Sequence, residues 1–361
     1  MRIAQIAPLH EAVPPRLYGG TERVVSYLTE ELVALGHEVT LFASGDSVTA
    51  ARLIAAWPRS LRLDPDIRDV IAPHMLMMEE VRRHAAEFDV LHFHLDYWPF
   101  SMFSRQPVPF VTTLHGRLDL PELRPIFSAF RDVPVVSISH AQRRGLAQAN
   151  FVANVPHGIP ARKPGTPPAS AGYLAFLGRI APEKGPDRAI RIAHACGLPL
   201  RIAAKVDRED RHYFDTVIRP MLDLPGVQMI GEISERDKPA FLCGARALLM
   251  PIEWPEPFGL VMIEALSCGT PVIAFNRGAV PEVIDHGLTG FIVEDEAAAI
   301  EAVRRLDQLD RGAVRARFEQ RFTAQRMAQD YLRIYRSLAQ DEPAVTRQPL
   351  RALRSAAGGA D

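Results

Sequence analysis

Cysteine is scarce in this chain: only Cys196, Cys243 and Cys268 occur in 361 residues, and no two of them form a C-x-x-C pair. An odd number without that spacing argues against a disulfide framework and a zinc knuckle, and for buried thiols in a reducing compartment, so no structural disulfide is expected. Charge of either sign is not in excess, with 42 Lys and Arg against 43 Asp and Glu and a net charge of -1. Surfaces that track a nucleic-acid backbone need clustered cations, which removes nucleic acid from the expected partners. No run approaches the roughly 18 apolar residues of a membrane span, and residues 3–7 are too short for the core of a secretion signal. A cytoplasmic protein is the expectation. Met75, Met77 and Met78 with Arg82 and Arg83 fit a packed amphipathic helix better than a lipid-facing one, so membrane association is not indicated. The first loop also lacks G-x-G-x-x-G, and no Walker A sequence occurs, which disfavours a dinucleotide dehydrogenase and a P-loop NTPase.

What is present is a repeated alternation. The length exceeds what one core normally serves, and a hydrophobic content of 47% can fill two. Residues 3–7 form an apolar run, Val24, Val25, Leu28, Leu32 and Leu35 mark one stripe of a helix, Gly36 stops it, and residues 38–42 form the next run, which together predict a βαβ unit. Strands follow at 90–94, 110–115, 135–139 and 152–156, with a helix over 75–88. Residues 160–171, rich in Pro, Gly and small side chains, are expected to be a linker. The alternation then resumes, with strands at 173–177, 200–204, 227–230, 247–251, 272–275 and 290–293 and helices at 186–196, 213–222 and 236–243 between the earlier of them. Helices over 297–309 and 324–338 close the pattern. The expected organisation is a first α/β domain over 1–159, a second over 172–323, a terminal helix over 324–340 and a disordered tail over 341–361. Right-handed crossovers make parallel sheets the economical arrangement.

The most informative segment is 256–265, EPFGLVMIEA. Pro257 disfavours helix for Glu256, Gly259 permits a tight backbone, and Leu260, Val261, Met262, Ile263, Ala265 and Leu266 predict a helix buried nearly all round, ended by Gly269 and Pro271. A helix beginning near Phe258 or Gly259 aims its free N–H groups at an anion, with Glu256 just outside that end and Glu264 about a turn inside. A carboxylate on so apolar a helix must find donors or cost several kcal/mol (~2 to 7 for a polar group, more for a charge). A ribose diol supplies two donors. A structural Lys or Arg would also satisfy Glu264, and Glu256 read alone is a solvated loop acid.

In open parallel sheets ligands collect at the carboxyl ends of strands, which directs attention to several other residues. After the strand at 173–177, Arg179 and Lys184 stand at the mouth of a helix opening near Pro186 and Asp187, a layout suited to a diphosphate. In the first loop, Thr21 can cap a helix and Gly20, after Gly19, lets backbone approach a ligand. His115 ends a strand and precedes Gly116. His92, His94 and Asp96 alternate on a strand, but they form no closed coordination set, and no metal is expected. Tyr97 and Trp98 follow, and flat rings of this kind can stack on sugar faces, although core packing explains them equally well. Glu253 and Trp254 precede the acidic segment.

The segment 256–265 resembles the E-x7-E signature of retaining glycosyltransferases of family four, and the match continues through Cys268-Gly269-Thr270-Pro271-Val272-Ile273-Ala274. The resemblance implies an α/β protein of GT-B fold, two Rossmann-like lobes whose parallel sheets face an interdomain cleft. It implies a metal- and cofactor-independent hexosyl transfer from a nucleotide diphosphate sugar to an acceptor hydroxyl with the anomeric configuration kept. UDP-glucose is the first donor to consider and GDP-mannose the second; the acceptor is unidentified. Carried over residue by residue, Glu256 would bind donor-sugar hydroxyls, Glu264 the ribose, and Arg179 and Lys184 the phosphates, with the Phe258, Gly259 and Leu260 amides completing the anion site. Gly19 and Gly20 would close over the diphosphate, and His115 would hydrogen-bond a sugar hydroxyl. Lys205 would face the donor, and Gly231, Glu232 and Ile233 would hold the base. Glu256, His115, Lys184 and Arg179 form the expected catalytic set, and Asp96, Tyr97 and Trp98 the acceptor-side candidates. The family's front-face displacement, in which the leaving phosphate oxygen deprotonates the acceptor, is the implied mechanism. A nucleotide-sugar epimerase of similar build and a catalytically inactive binding protein are the alternatives.

Overall fold

The computed structural model describes residues 1–16, 19–161 and 172–340. The expected linker, apart from Pro160 and Ala161, and the expected disordered tail lie outside the described residues. β1 (Arg2–Ile6), β2 (Glu38–Ser44), β3 (Arg52–Trp57), β4 (Val90–Phe93), β5 (Phe110–Thr113), β6 (Val135–Ser137) and β7 (Phe151–Asn154) form one sheet in the order β3-β2-β1-β4-β5-β6-β7, parallel throughout. β8 (Tyr173–Arg179), β9 (Leu200–Lys205), β10 (Val227–Gly231), β11 (Ala245–Met250), β12 (Val272–Phe275) and β13 (Gly290–Val293) form a second parallel sheet in the order β10-β9-β8-β11-β12-β13.

Helices cover both faces of each sheet, which is why the inner strands are buried along nearly their whole length instead of alternating. In both sheets the strand order reverses, between β1 and β4 in the first and between β8 and β11 in the second. Chain segments leaving the carboxyl ends on either side of such a point diverge and leave a crevice. The fold thus provides two crevices, one per lobe.

Several elements were not expected from sequence, among them β3, the short helix Leu123–Ala129 and the helix Arg311–Arg321. β3 is a half-exposed edge strand whose apolar run, Leu53 to Trp57, follows β2 after only seven residues, fewer than the usual crossover between parallel strands. The helix Arg311–Arg321 has four arginines and buries only Val314 and Phe318, too little for a recognisable stripe. The expectation of free thiols is also corrected, because Cys243 and Cys268 form a disulfide with Cα atoms 4.8 Å apart, leaving Cys196 free. Cys243 ends the helix Lys238–Cys243 and Cys268 caps the helix Leu260–Ser267, so it is the packing of these helices that brings them together. Their separation of 25 residues gives no such signal.

The lobes are joined by more than the linker. Ile159 forms a β-bridge with Thr323, and the helix Ala324–Gln340 packs on the first lobe, burying Met327, Ala328, Tyr331, Leu332 and Tyr335 with Ile3, Val24, Leu28 and Val90. The Glu282 carboxylate accepts the His140 and Ala141 N–H groups at 2.7 and 2.6 Å, satisfying donors at the start of a first-lobe helical turn. Among the described residues no helix is long and apolar enough to cross a membrane.

Candidate active site

A cleft of about 680 Å³ lies between the lobes, within the size range of small-molecule sites. It opens on both crevices. From the first lobe come Gly19 and Gly20 in the loop after β1, His94 and Asp96 after β4, and His115 after β5; from the second come Arg179 at the end of β8, Lys205 at the end of β9 and the 252–264 segment after β11.

The acidic segment folds as its residues dictate, with a later start. Gly259 has a φ of 83°, and the helix begins at Leu260 rather than at Phe258 or Gly259. A Cβ on Gly259 would stand 2.8 Å from Met262 Cε and 3.1 Å from Met250 Cε, so the position is closed to a side chain as well as left-handed. A Cβ on Gly20 would lie 3.6 Å from Leu260 Cδ1, which sets the glycine loop of the first lobe directly against the start of this helix.

Both glutamates line the cleft and both are ion-paired. Glu256 accepts from Lys184 Nζ at 2.6 Å and from Trp254 Nε1 at 2.9 Å, with the Lys184 ammonium also 4.5 Å from the centre of the Trp254 indole. Glu264 accepts from Lys238 Nζ at 2.7 Å, and Lys238 also pairs with Glu235. The structural cation anticipated as an alternative for Glu264 is therefore present, and it too lines the cleft. Arg179 pairs with Glu183 at 2.5 Å and Asp210 at 3.3 Å, and Lys205 with Asp207 at 2.8 Å. Each cation thus has an acid beside it, so an entering anion would exchange one partner for another.

Of the expected donor-binding residues, Gly19, Gly20, Arg179, Lys184, Lys205, Ile233, Glu256, Phe258, Gly259, Leu260 and Glu264 meet at this cleft, together with His115 and Asp96. Three of the expected site residues lie outside the lining. Gly231 ends β10 with a φ of 77° and turns the chain, so that Glu232 and Ile233 line the cleft and Gly231 does not. Tyr97 and Trp98 also fall outside the lining: Asp96 takes a left-handed φ of 47°, the Trp98 N–H bonds to the Leu95 carbonyl, and Trp98 packs 5.1 Å from His74 with part of its surface in solvent. Asp96 stays in the cleft and accepts the His115 backbone N–H. Although it is open to cleft water, its depth between the lobes desolvates the carboxyl and raises it to about 6, against the opposing effect of that hydrogen bond.

Sequence reasoning missed several lining residues. Arg23, on the helix Gly20–Ala34, reaches across to Glu235 at 2.6 Å, and the Tyr27 hydroxyl donates to the same carboxylate at 3.4 Å. His157 precedes Gly158 just as His115 precedes Gly116, a repeat visible in the sequence; the two rings stack at 5.2 Å, and Phe258 meets His157 edge-on at 4.9 Å. Glu22 is 5% exposed, and burial raises its carboxyl to about 7 from an ordinary 4.5. The folded state therefore holds this proton more tightly than the unfolded chain does. The associated stability is present below pH 4.5 and is lost as pH rises through about 7, on the order of 3 kcal/mol at ~1.4 per unit. Glu22→Gln should remove that decline, which chemical denaturation at pH 5 and pH 8 will measure.

Comparison with known proteins agrees with this layout. Residues 161–322 match the model for glycosyl transferases group 1, and residues 18–160 match that for glycosyltransferase family 4. An uncharacterized 41.2 kDa protein of the Klebsiella pneumoniae cps region is 30% identical over 45% of this chain and 46% of its own length. The phosphatidyl-myo-inositol mannosyltransferase of Mycolicibacterium smegmatis is 28% identical, with 87% of each chain covered. The crystal structure of AviGT4, a glycosyltransferase involved in avilamycin A biosynthesis, superposes with a TM-score of 0.70 at 24% identity, covering 94% of this chain and 98% of that one. The fold is GT-B and the chain belongs to the group 1, family 4 glycosyltransferases. It is a transferase enzyme.

Proposed function

We propose that this enzyme moves a hexose from a nucleotide diphosphate sugar to an acceptor hydroxyl with retention at the anomeric carbon and without a metal. The observation that carries this reading is the Lys184–Glu256 pair placed beside the start of the helix Leu260–Ser267, with Gly20 of the opposite lobe against Leu260. A diphosphate entering there meets the Lys184 ammonium, the Arg179 guanidinium and the first amides of that helix, while Glu256 turns to the sugar hydroxyls and Glu264 to the ribose. Lys205 and Ile233 complete the donor side. As the bond from C1 to the phosphate oxygen breaks, negative charge grows on the leaving diphosphate, where these donors stabilise it. The acceptor oxygen bonds C1 on the face the leaving group departs from, and its proton passes to the leaving phosphate oxygen. Asp96, on the cleft wall of the first lobe, faces the acceptor.

UDP-glucose is the first donor to test. GDP-mannose is the second, a choice supported by the mannosyltransferase relative. Incubation with donor alone and with a panel of hydroxyl acceptors, followed by sugar analysis, separates the readings: a new glycoside with the donor's anomeric configuration supports transfer, an altered sugar without acceptor would indicate an epimerase, and binding without product an inactive carrier. A cytoplasmic location is part of this reading, and Cys243 and Cys268 would be held there as thiols.

Glu264→Ala should lower kcat/KM by roughly ten- to a hundredfold, the usual worth of a hydrogen bond to a charged group. An unchanged value would remove Glu264 from the ribose and leave it as a partner of Lys238 alone.

A further inference from the structure

Beneath the cleft a line of polar side chains crosses the core of the first lobe. The His115 Nε2 lies 2.9 Å from His94 Nδ1, His94 Nε2 lies 2.9 Å from Gln5 Oε1, and Gln5 Nε2 lies 3.0 Å from the Tyr335 hydroxyl. Tyr335 continues to His92 Nδ1 at 2.6 Å, His92 Nε2 to Thr113 Oγ1 at 2.7 Å, and Thr113 to the Tyr331 hydroxyl at 2.8 Å. Gln5 and His92 are register partners on β1 and β4, whereas Tyr331 and Tyr335 come from the helix that crosses back from the second lobe. Every member beyond His115 is at most 3% exposed. In so dry a place each donor must face an acceptor, and the directions of the bonds become linked.

The amide of Gln5 sets them. Its N–H donates to Tyr335, whose own proton must then go to His92 Nδ1, leaving His92 protonated on Nε2 and donating to Thr113. Its carbonyl oxygen accepts, so His94 carries its proton on Nε2 and offers a lone pair at Nδ1, to which His115 donates from Nε2. Burial holds His92 and His94 well below their ordinary range and His115 down to about 3, so all three rings are neutral and each has one N–H. Reversal of the Gln5 amide would reverse every bond and place a proton on His115 Nδ1. That atom is buried and has no hydrogen-bond partner among the described residues. An orphaned buried N–H is rarer in proteins than an under-satisfied acceptor, which favours the direction observed.

We infer that Gln5 and Tyr335 are positioning residues: through the buried wire they fix His115 as the Nε2–H tautomer, which leaves its buried Nδ1 as an acceptor without a proton. The tautomer follows from the bond geometry and the neutrality of the rings; its importance for turnover rests on the placement of His115 at the donor sugar proposed above. The terminal helix thereby acts on a cleft residue through Tyr335 and Gln5.

The test is nitrogen-15 spectroscopy of histidine-labelled enzyme, with His92, His94 and His115 assigned by single His→Gln variants. Wild type should show all three as Nε2–H tautomers between pH 6 and 8. Tyr335→Phe takes away the acceptor of Gln5 and the donor to His92, and His115 should then populate the Nδ1–H form, with kcat falling about tenfold, the size of one hydrogen bond, and KM nearly unchanged. Tyr331→Phe, on the same helix and equally buried, should alter neither signal nor rate, since it lies at the far end of the wire. If Tyr335→Phe does not fold, Gln5→Met should produce the same change at His115. An unaltered His115 in these variants, or Nδ1–H in wild type, would overturn the wire. A changed tautomer with full kcat would instead overturn the placement of His115 at the sugar and leave the wire standing.

Discussion

Lys184→Ala is expected to lower kcat/KM by about two to three orders of magnitude, the range found when a preorganised donor to developing negative charge is removed. The side chain leaves a short helical turn, Pro182–Lys184, that is held in place on its far side. Gly185 has a φ of 70°, and a Cβ there would stand 2.3 Å from the Pro251 carbonyl oxygen, so this turn and the segment after β11 are pressed together. The Glu253 N–H also donates to the Glu183 carbonyl at 2.8 Å. Lys184 is therefore delivered to Glu256 and the Trp254 ring by rigid backbone, and its loss removes both the cation proposed for the diphosphate and the partner of Glu256. Lys184→Arg should recover part of the rate, since charge is kept and geometry is not. Steady-state kinetics decide it, with thermal unfolding as a control for folding. A change below threefold would exclude Lys184 from the anion site.

Gly278→Ala should be nearly as damaging, on the order of a hundredfold in rate if Glu256 moves by about 1 Å. Gly278 contributes no group to the cleft. It has a φ of 56°, and a Cβ would fall 2.3 Å from the carbonyl oxygen of Glu256 and 2.4 Å from its nitrogen. The Ala279 N–H holds the same carbonyl at 2.9 Å. The backbone of Glu256 rests directly on this glycine, so a methyl group must push the acid out of register. The left-handed backbone adds a cost of about 1–3 kcal/mol in stability. Kinetics and denaturation together check both effects, and a variant with wild-type rate would show that the position of Glu256 is not critical.

Much of this architecture was legible in the sequence, and the exceptions have physical causes. Twelve of the thirteen strands were anticipated from apolar runs set in a βα alternation, and Arg52–Trp57 was not, because it follows its parallel neighbour after seven residues with no helix between. The cleft residues that lie directly after strands, such as Arg179, Lys205 and His115, were legible because a parallel sheet sends its carboxyl ends to one side. Lys238, Glu235 and Arg23 were not, since none directly follows a strand and Arg23 meets Glu235 only when the lobes come together. Tyr97 and Trp98 follow the left-handed turn at Asp96, a conformation that a non-glycine residue does not announce, and lie outside the cleft lining. The linkage of Cys243 to Cys268 depends on how two helices pack, and the wire from Gln5 to Tyr331 joins residues more than 300 apart in the chain. Contacts of that kind are written in the fold rather than in any local pattern.

The central claim is that the second lobe grips a pyrophosphate. Calorimetric titration of the enzyme with UDP and UMP, and in parallel with GDP and GMP, tests it most directly. The predicted result is that one diphosphate binds at least about tenfold more tightly than its monophosphate, as one hydrogen bond to a charged group would give, and that the gap closes in Lys184→Ala. Equal affinity for mono- and diphosphate in the wild-type enzyme would contradict it.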